Sequence, residues 1–146
     1  GVNKYSKLVS DGMIVYGLDG NNNTPQIQKG KVGIRLQIKG LSAGTHSLLA
    51  YHNNTDGYDA PPLEVIVNGV QQATNIKQTN RAQKASESGR SYVTFNVEEG
   101  QMTEIIYRSQ PDDSFDYTQG YNTTTVIINS LEVDVNPYIA TDTSQQ

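Results

Sequence analysis

A chain of 146 residues is the length of one domain and can bury a core of its own. Its 35% hydrophobic content, set among abundant Gly, Asn, Thr and Ser, favours a turn-rich all-β protein over a helical one. A net charge of −4 without a basic patch argues against a nucleic-acid partner, and the absence of Cys removes disulfides, thiolate metal sites and a cysteine nucleophile.

No apolar run is long enough to insert into a membrane as a spanning helix. No signal-peptide pattern opens the chain at Gly1, which is compatible with a processed piece whose targeting lies elsewhere; lack of Cys leaves secretion open. Lys7 to Gly17 (KLVSDGMIVYG) reads as two short strands around the Ser10-Asp11-Gly12 turn. Leu18 to Gly30 is an Asn-dense loop stopped by Pro25 and glycines. Lys31 to Lys39 is the clearest strand: Val32, Ile34, Leu36 and Ile38 point one way, Gly33, Arg35, Gln37 and Lys39 the other.

Beyond the Ser42-Ala43-Gly44 turn, Thr45 to His52 is a second strand. The connector that follows, His52 to Pro62, is unusually rich in hydrogen-bonding and stacking groups for a segment that only has to be polar. Leu63, Val65 and Val67 then form a strand up to Asn68-Gly69, the strongest two-residue hairpin signal, and Val70 to Gln78 returns. Thr79 to Gly89 reads as a solvated connector with room for a short helical turn. Ser91 to Val97 alternates again, Glu98-Glu99-Gly100 turns the chain, and Gln101 to Ser109 is expected to pair back as a second hairpin. Gln110 to Asn122 is a second long polar loop, and Thr123 to Val135 is the closing strand. Residues 1–136 are read as one domain and 137–146 as a linker or tail. About eight or nine strands separated by turns, without helical periodicity, make an antiparallel two-sheet β-sandwich.

Loops gather at the two ends of a sandwich, so the two polar loops can meet. Together they offer Tyr58, Phe115, Tyr117 and Tyr121 as flat apolar faces and several Asp residues as acceptors. Sugar recognition uses that mixture, an aromatic ring against the C–H face of a pyranose and fixed polar groups on its hydroxyls. The plainer reading, half-buried aromatics and turn-forming Asp residues, stays open beside it. Trp is absent, which favours a single chain or chain end in a loop pocket over a flat crystalline surface. Asp112-Asp113 with Asp116, or Asp56 with Asp59, could supply oxygen ligands to calcium, although neither has EF-hand spacing; solvated turn carboxylates are the competing reading. The sequons at Asn22, Asn53 and Asn122 are expected by chance in so Asn- and Thr-rich a chain.

Three segments carry a family resemblance: GLSAGTHSLLAYHN from Gly40, VIVNGV from Val65, and TTTVIINSLEVDV from Thr123, in which Asn129 interrupts an apolar run ahead of Glu132. They resemble the central and closing strands of malectin-like and galactose-binding-like carbohydrate-binding modules. The resemblance implies a jelly-roll sandwich, non-catalytic, attached to a catalytic domain of a secreted bacterial enzyme that degrades polysaccharides, and it raises the expectation of one structural calcium at Asp112 and Asp113. The expected sugar site combines His52, Asn53 and Tyr58 from the first loop with Arg108, Asp116 and Tyr121 around the second. Two other readings compete. One is a small polysaccharide lyase or hydrolase using His52 or a Tyr/Arg pair; the other is a structural spacer or protein-interaction module.

Overall fold

The computed structural model describes residues 33–55, 60–110 and 125–135, together with the backbone of 13–16. Ten strands lie among them: β1 (Met13–Tyr16), β2 (Gly33–Ile38), β3 (Gly44–Asn54), β4 (Leu63–Val67), β5 (Val70–Ile76), β6 (Thr79–Asn80), β7 (Gly89–Val97), β8 (Thr103–Ser109), β9 (Thr125–Ile128) and β10 (Ser130–Val133). The one helical turn among the described residues is a 3-10 turn at Ala85–Glu87.

Alternation decides which face of each strand is buried. In β7 every second residue from Gly89 to Val97 is buried, and in β8 the same holds from Thr103 to Ser109. β2 turns Ile34 into the core and leaves Gly33, Arg35 and Gln37 exposed, as its sequence pattern requires. One sheet runs β2-β8-β4-β5, antiparallel throughout; the other places β3 between β10 and β7, with β6 added parallel at the end of β3. Between the inner faces lies one core that includes Leu48, Leu63, Val65, Val93, Ile105 and Val126. β9 pairs with β1 and is buried along its whole length.

The long strand β3 is buried on both faces from His46 to Asn54. Leu48 and Ala50 face the core, whereas Leu49 and Tyr51 form a second small cluster with Ala85, against which Val135 packs. The Arg90 guanidinium lies over the Tyr51 ring, 5.8 Å from its centroid, and donates to the Ser86 carbonyl at 3.2 Å. Residues 79–89 are therefore not a simple solvated connector: two of them add a strand, and Ala85 seals the outer side of β3. Fully burying a side chain such as Leu49 contributes about 1.5–3 kcal/mol, which repays ordering that cover.

The Asn68-Gly69 hairpin forms as expected, and both residues have positive φ, 48° and 82°, as a type I′ turn demands. β5 then pairs with β4 through register shifts on either side of Val65. The second expected hairpin does not form. β7 pairs with β3, and β8 pairs with β2 and β4, so residues 98–102 arch from one sheet to the other. Glu98-Glu99-Gly100 has a turn residue with positive φ only at Gly100, and it lacks the two-residue signature that would fold a strand back on its neighbour. The Thr123–Val135 strand is also divided: at Asn129 the chain leaves β1 and joins β3.

Gly89 shows how closely the backbones pass where β7 begins. A Cβ there would overlap the carbonyl oxygen of Lys77 and sit 2.9 Å from that of His52. Both obstacles are backbone, so neither can rotate away. Gly89→Ala should destabilise the fold by about 1–3 kcal/mol or more; urea unfolding of the variant beside the parent measures it, and an unchanged midpoint would mean that the two backbones part easily.

Candidate functional site

The two polar loops leave the same end of the sandwich. β3 ends at Asn54 and β4 starts at Leu63, while Leu63 pairs with Ser109 at the end of β8. One residue further, Gln110 N donates to Pro62 O at 2.7 Å. The roots of the two loops, Pro62 and Gln110, 48 residues apart in sequence, are thus hydrogen-bonded to each other. Tyr58, Asp112, Asp113, Asp116 and Tyr121 lie outside the described residues, as do 137–146.

Beneath these roots is a buried polar frame. Asn53 is at its centre and 1% exposed. Its amide N–H donates to Asn129 Oδ1 at 2.6 Å, and its carbonyl accepts from Asn129 Nδ2 at 3.1 Å. Its own Oδ1 accepts from Thr79 Oγ1 and from Ala82 N, both at 3.0 Å. One side chain and its backbone therefore join β3, the β9–β10 corner and the β6 segment. Thr79 Oγ1 in turn accepts from Gly89 N at 2.8 Å.

Gln78 makes a comparable junction. Its Nε2 donates to Pro61 O and Thr125 O, each at 2.7 Å, and its Oε1 accepts from Ile127 N at 2.8 Å. The side-chain amide thereby takes the place of a neighbouring strand along β9.

His52 does not face a ligand. It is 0% exposed, with Nδ1 2.6 Å from Ile127 O, Nε2 2.8 Å from Ser91 Oγ, and its ring 5.5 Å from that of Tyr107. Burial holds its pKa down to about 4, with the Ile127 carbonyl pulling weakly the other way. A carbonyl can only accept, so Nδ1 carries the proton of the neutral ring and Nε2 accepts from the Ser91 hydroxyl. A serine hydroxyl on an imidazole whose far nitrogen is anchored has the connectivity of a nucleophile–base pair. Ser91 is 2% exposed, however, and no substrate reaches it in this fold. The expectation that His52 and Asn53 touch a sugar is corrected here: both stand behind the loop and hold its root.

Arg108 lies on the outer face of the β2-β8-β4-β5 sheet, one residue before Ser109. Its Nε donates to Glu64 Oε1 at 2.6 Å and its Nη2 pairs with the same oxygen, while Glu64 Oε2 accepts from Gln71 Nε2 at 2.9 Å. The Arg108 side chain is 43% exposed, so it reaches the rim of the loop end with its guanidinium already oriented. Among the described residues no group of three or more His, Cys, Asp or Glu side chains could hold a metal ion. Asn129, Gln78 and Thr79 are the frame residues that reading the sequence for a site missed. Asn129 gave a signal as the polar break in an apolar run; Gln78 and Thr79 gave none.

No protein-family model matches the sequence, and no curated protein matches it significantly. Solved structures do match. The C-terminal domain of EclA, a sugar-binding protein, superposes with a TM-score of 0.52 at 15% identity, over 84% of this chain and 76% of that one. A family 35 carbohydrate-binding module from an environmental isolate gives a TM-score of 0.50 at 18% identity, over 86% and 84% of the two chains. The fold is the antiparallel β-sandwich that these two domains share. At such identities the likeness establishes architecture, and the expected all-β sandwich is borne out.

The buried histidine has a measurable consequence. An unfolded chain takes up a proton on His52 near pH 6.5, whereas the fold resists it until about pH 4. Stability linked to this group is complete above pH 6.5 and falls as pH drops towards 4, by roughly 3 kcal/mol at about 1.4 kcal/mol per pH unit. Chemical unfolding across that range should show the loss, and His52→Gln, although less stable at neutral pH, should show a shallower slope.

Proposed function

We propose that the chain is a non-catalytic carbohydrate-binding module that holds a single polysaccharide chain or chain end in the loops at one end of the sandwich. The observation that carries this reading is the hydrogen-bonded meeting of the two loop roots over a buried polar frame. Loops rich in Tyr and Asp need such a base, because weak sugar contacts add up only when the groups making them are held in place beforehand. The likeness of fold to a sugar-binding domain and a family 35 module supports the same reading.

In this site Tyr58 and Tyr121 stack on the sugar, Asp116 accepts from its hydroxyls and Arg108 lies at the rim. His52 and Asn53 hold the frame. The outward positions of β2 (Gly33, Arg35 and Gln37) provide no aromatic platform, which favours the loops over that sheet face as the ligand's position. A secreted bacterial polysaccharide-degrading enzyme, with a catalytic domain attached elsewhere in a longer parent chain, is the setting that suits such a module.

A polysaccharide panel, read by affinity electrophoresis and by product release, tests the function: retardation without products supports it, and released products would replace it with a lyase or hydrolase. Against the sugar so found, Tyr58→Ala and Tyr121→Ala should each weaken binding by about 1 kcal/mol or somewhat more with unfolding midpoints unchanged. Parental affinity in both variants would remove the site from the loops.

The proposed calcium rests on Asp112 and Asp113. If it is present, an excess of chelator should lower the melting temperature relative to calcium-saturated protein, since a ligand of the folded state alone stabilises it by mass action. Equal melting temperatures would take the ion out of the account.

A further inference from the structure

At the end of the sandwich away from the loops, the other histidine is held in the opposite way. His46, on β3, packs beside Phe95 of β7, with ring centroids 6.2 Å apart. Its Nδ1 is 2.7 Å from Asp134 Oδ2, and its Nε2 is 2.6 Å from the backbone carbonyl oxygen of Ser42. A carboxylate and a carbonyl are both acceptors, so both ring nitrogens have to donate, and the ring in this geometry is an imidazolium. Asp134 is fixed from its own side: Oδ1 accepts from Ser47 N at 3.0 Å, its N–H donates to Ser47 O at 2.9 Å, and its φ is 60°.

Ser42 Oγ is 3.4 Å from Nε2, so serine, histidine and aspartate stand in the order of a nucleophile, base and orienter. The shorter bond decides against that chemistry. The Nε2 proton is directed at the Ser42 carbonyl, and a nitrogen that holds its proton cannot take another from a hydroxyl. What the arrangement can do is change charge.

We propose that His46 is a proton-operated latch that closes the Lys39–Gly44 turn onto the end of β10 and releases the turn when the ring gives up one proton. The proton goes to solvent from Nε2, because the Nδ1 proton is held by the stronger acceptor, the Asp134 carboxylate. The bared Nε2 lone pair then faces the lone pairs of the Ser42 carbonyl, and the two repel. The same residue offers the remedy. Once the carbonyl swings away, the Ser42 hydroxyl can donate to Nε2, so both positions of the turn are hydrogen-bonded and the change is a switch between two states. Gly40 and Gly44, with φ of 82° and 125°, bracket the turn as hinges. Leu41, half-buried against the core, is the apolar side chain that moves with it.

Among the described residues Asp134 is the charged group that faces the ring. β7 brings Phe95 between Thr94 and Asn96, and β3 itself brings Thr45 and Ser47. Lys39 at the head of the turn and Glu98 beyond β7 are exposed, and among the described residues neither pairs with His46. The hydrogen bond to Asp134, then that to Ser42, raises the ring above its ordinary 6.5, and the same pairing lowers Asp134. The latch is accordingly closed below pH 6.5 and opens as pH rises through the raised value. At the acid end it weakens again as Asp134 takes up a proton below its ordinary 3.8.

Nitrogen-15 NMR of the His46 ring and backbone, recorded on the whole chain from pH 5 to 9, tests the latch. The expected result is a doubly protonated ring at pH 5 and a midpoint above 6.5. The proton is lost from Nε2, and amide signals of residues 40–44 move with the same midpoint. Asp134→Asn should bring the midpoint down, and Ser42→Ala, which keeps the carbonyl, should leave it raised while removing the substitute donor of the open turn. A midpoint at or below 6.5 in the parent, loss from Nδ1, or a turn that ignores the titration would each overturn the proposal. His46→Gln, with signals of residues 40–44 independent of pH, is the control that ties the movement to this ring.

Discussion

A strand buried on both faces still has to hydrogen-bond its backbone on both edges, and at β9 one of those edges meets side chains. β1 supplies the ladder on one side. On the other, the Gln78 amide spans Thr125 O and Ile127 N while His52 donates to Ile127 O. An unpaired backbone group buried there would cost about 1–3 kcal/mol. Gln78 and His52 can supply the bonds only if they too are withdrawn from water. The burial of the polar frame, the neutrality of His52 and the fixed spacing of the loop roots all follow from this arrangement.

The two histidines show how little residue type decides by itself. Both lie on β3 with side chains directed to the inner face, six residues apart, and both have their ring nitrogens bonded. His52 faces one carbonyl and one hydroxyl, and the hydroxyl can donate, so the ring stays neutral in its dry surroundings. His46 faces a carbonyl and a carboxylate, neither of which can donate, so it is charged. The number of protons on each ring is set by how many its partners bring.

The sheets were legible because period-two alternation is a local signal: β2 could be read from the nine residues Lys31 to Lys39, β7 from the seven residues Ser91 to Val97, and the Asn68-Gly69 turn from two. The Glu98–Gly100 turn was misread because a turn signal reports that the chain reverses, not which sheet it enters next; that depends on β3 having claimed β7 as its neighbour. His52 and Asn53 were misread for a related reason. Polar residues at the end of a strand suggest exposure, and what buries these two comes from Ser91, Ile127 and Asn129, 39 to 76 residues away. Asn129 could be picked out as a polar break in an apolar run, yet its role as a corner between two sheets was visible only with both strands in place.

The shifted register around Val65 also affects what happens when copies of the chain crowd together. β5 is one edge of its sheet among the described strands, and a straight, regular edge is a template on which a second chain can build. Here the pairing slips twice behind the edge, Asn75 twists the backbone to a φ of 56°, and Gln71, Gln72, Thr74 and Asn75 are exposed along it. An incoming strand would find its hydrogen-bonding groups out of step after a few residues. The irregularity that looks like a defect in the hairpin works against the pairing of a second chain along this edge.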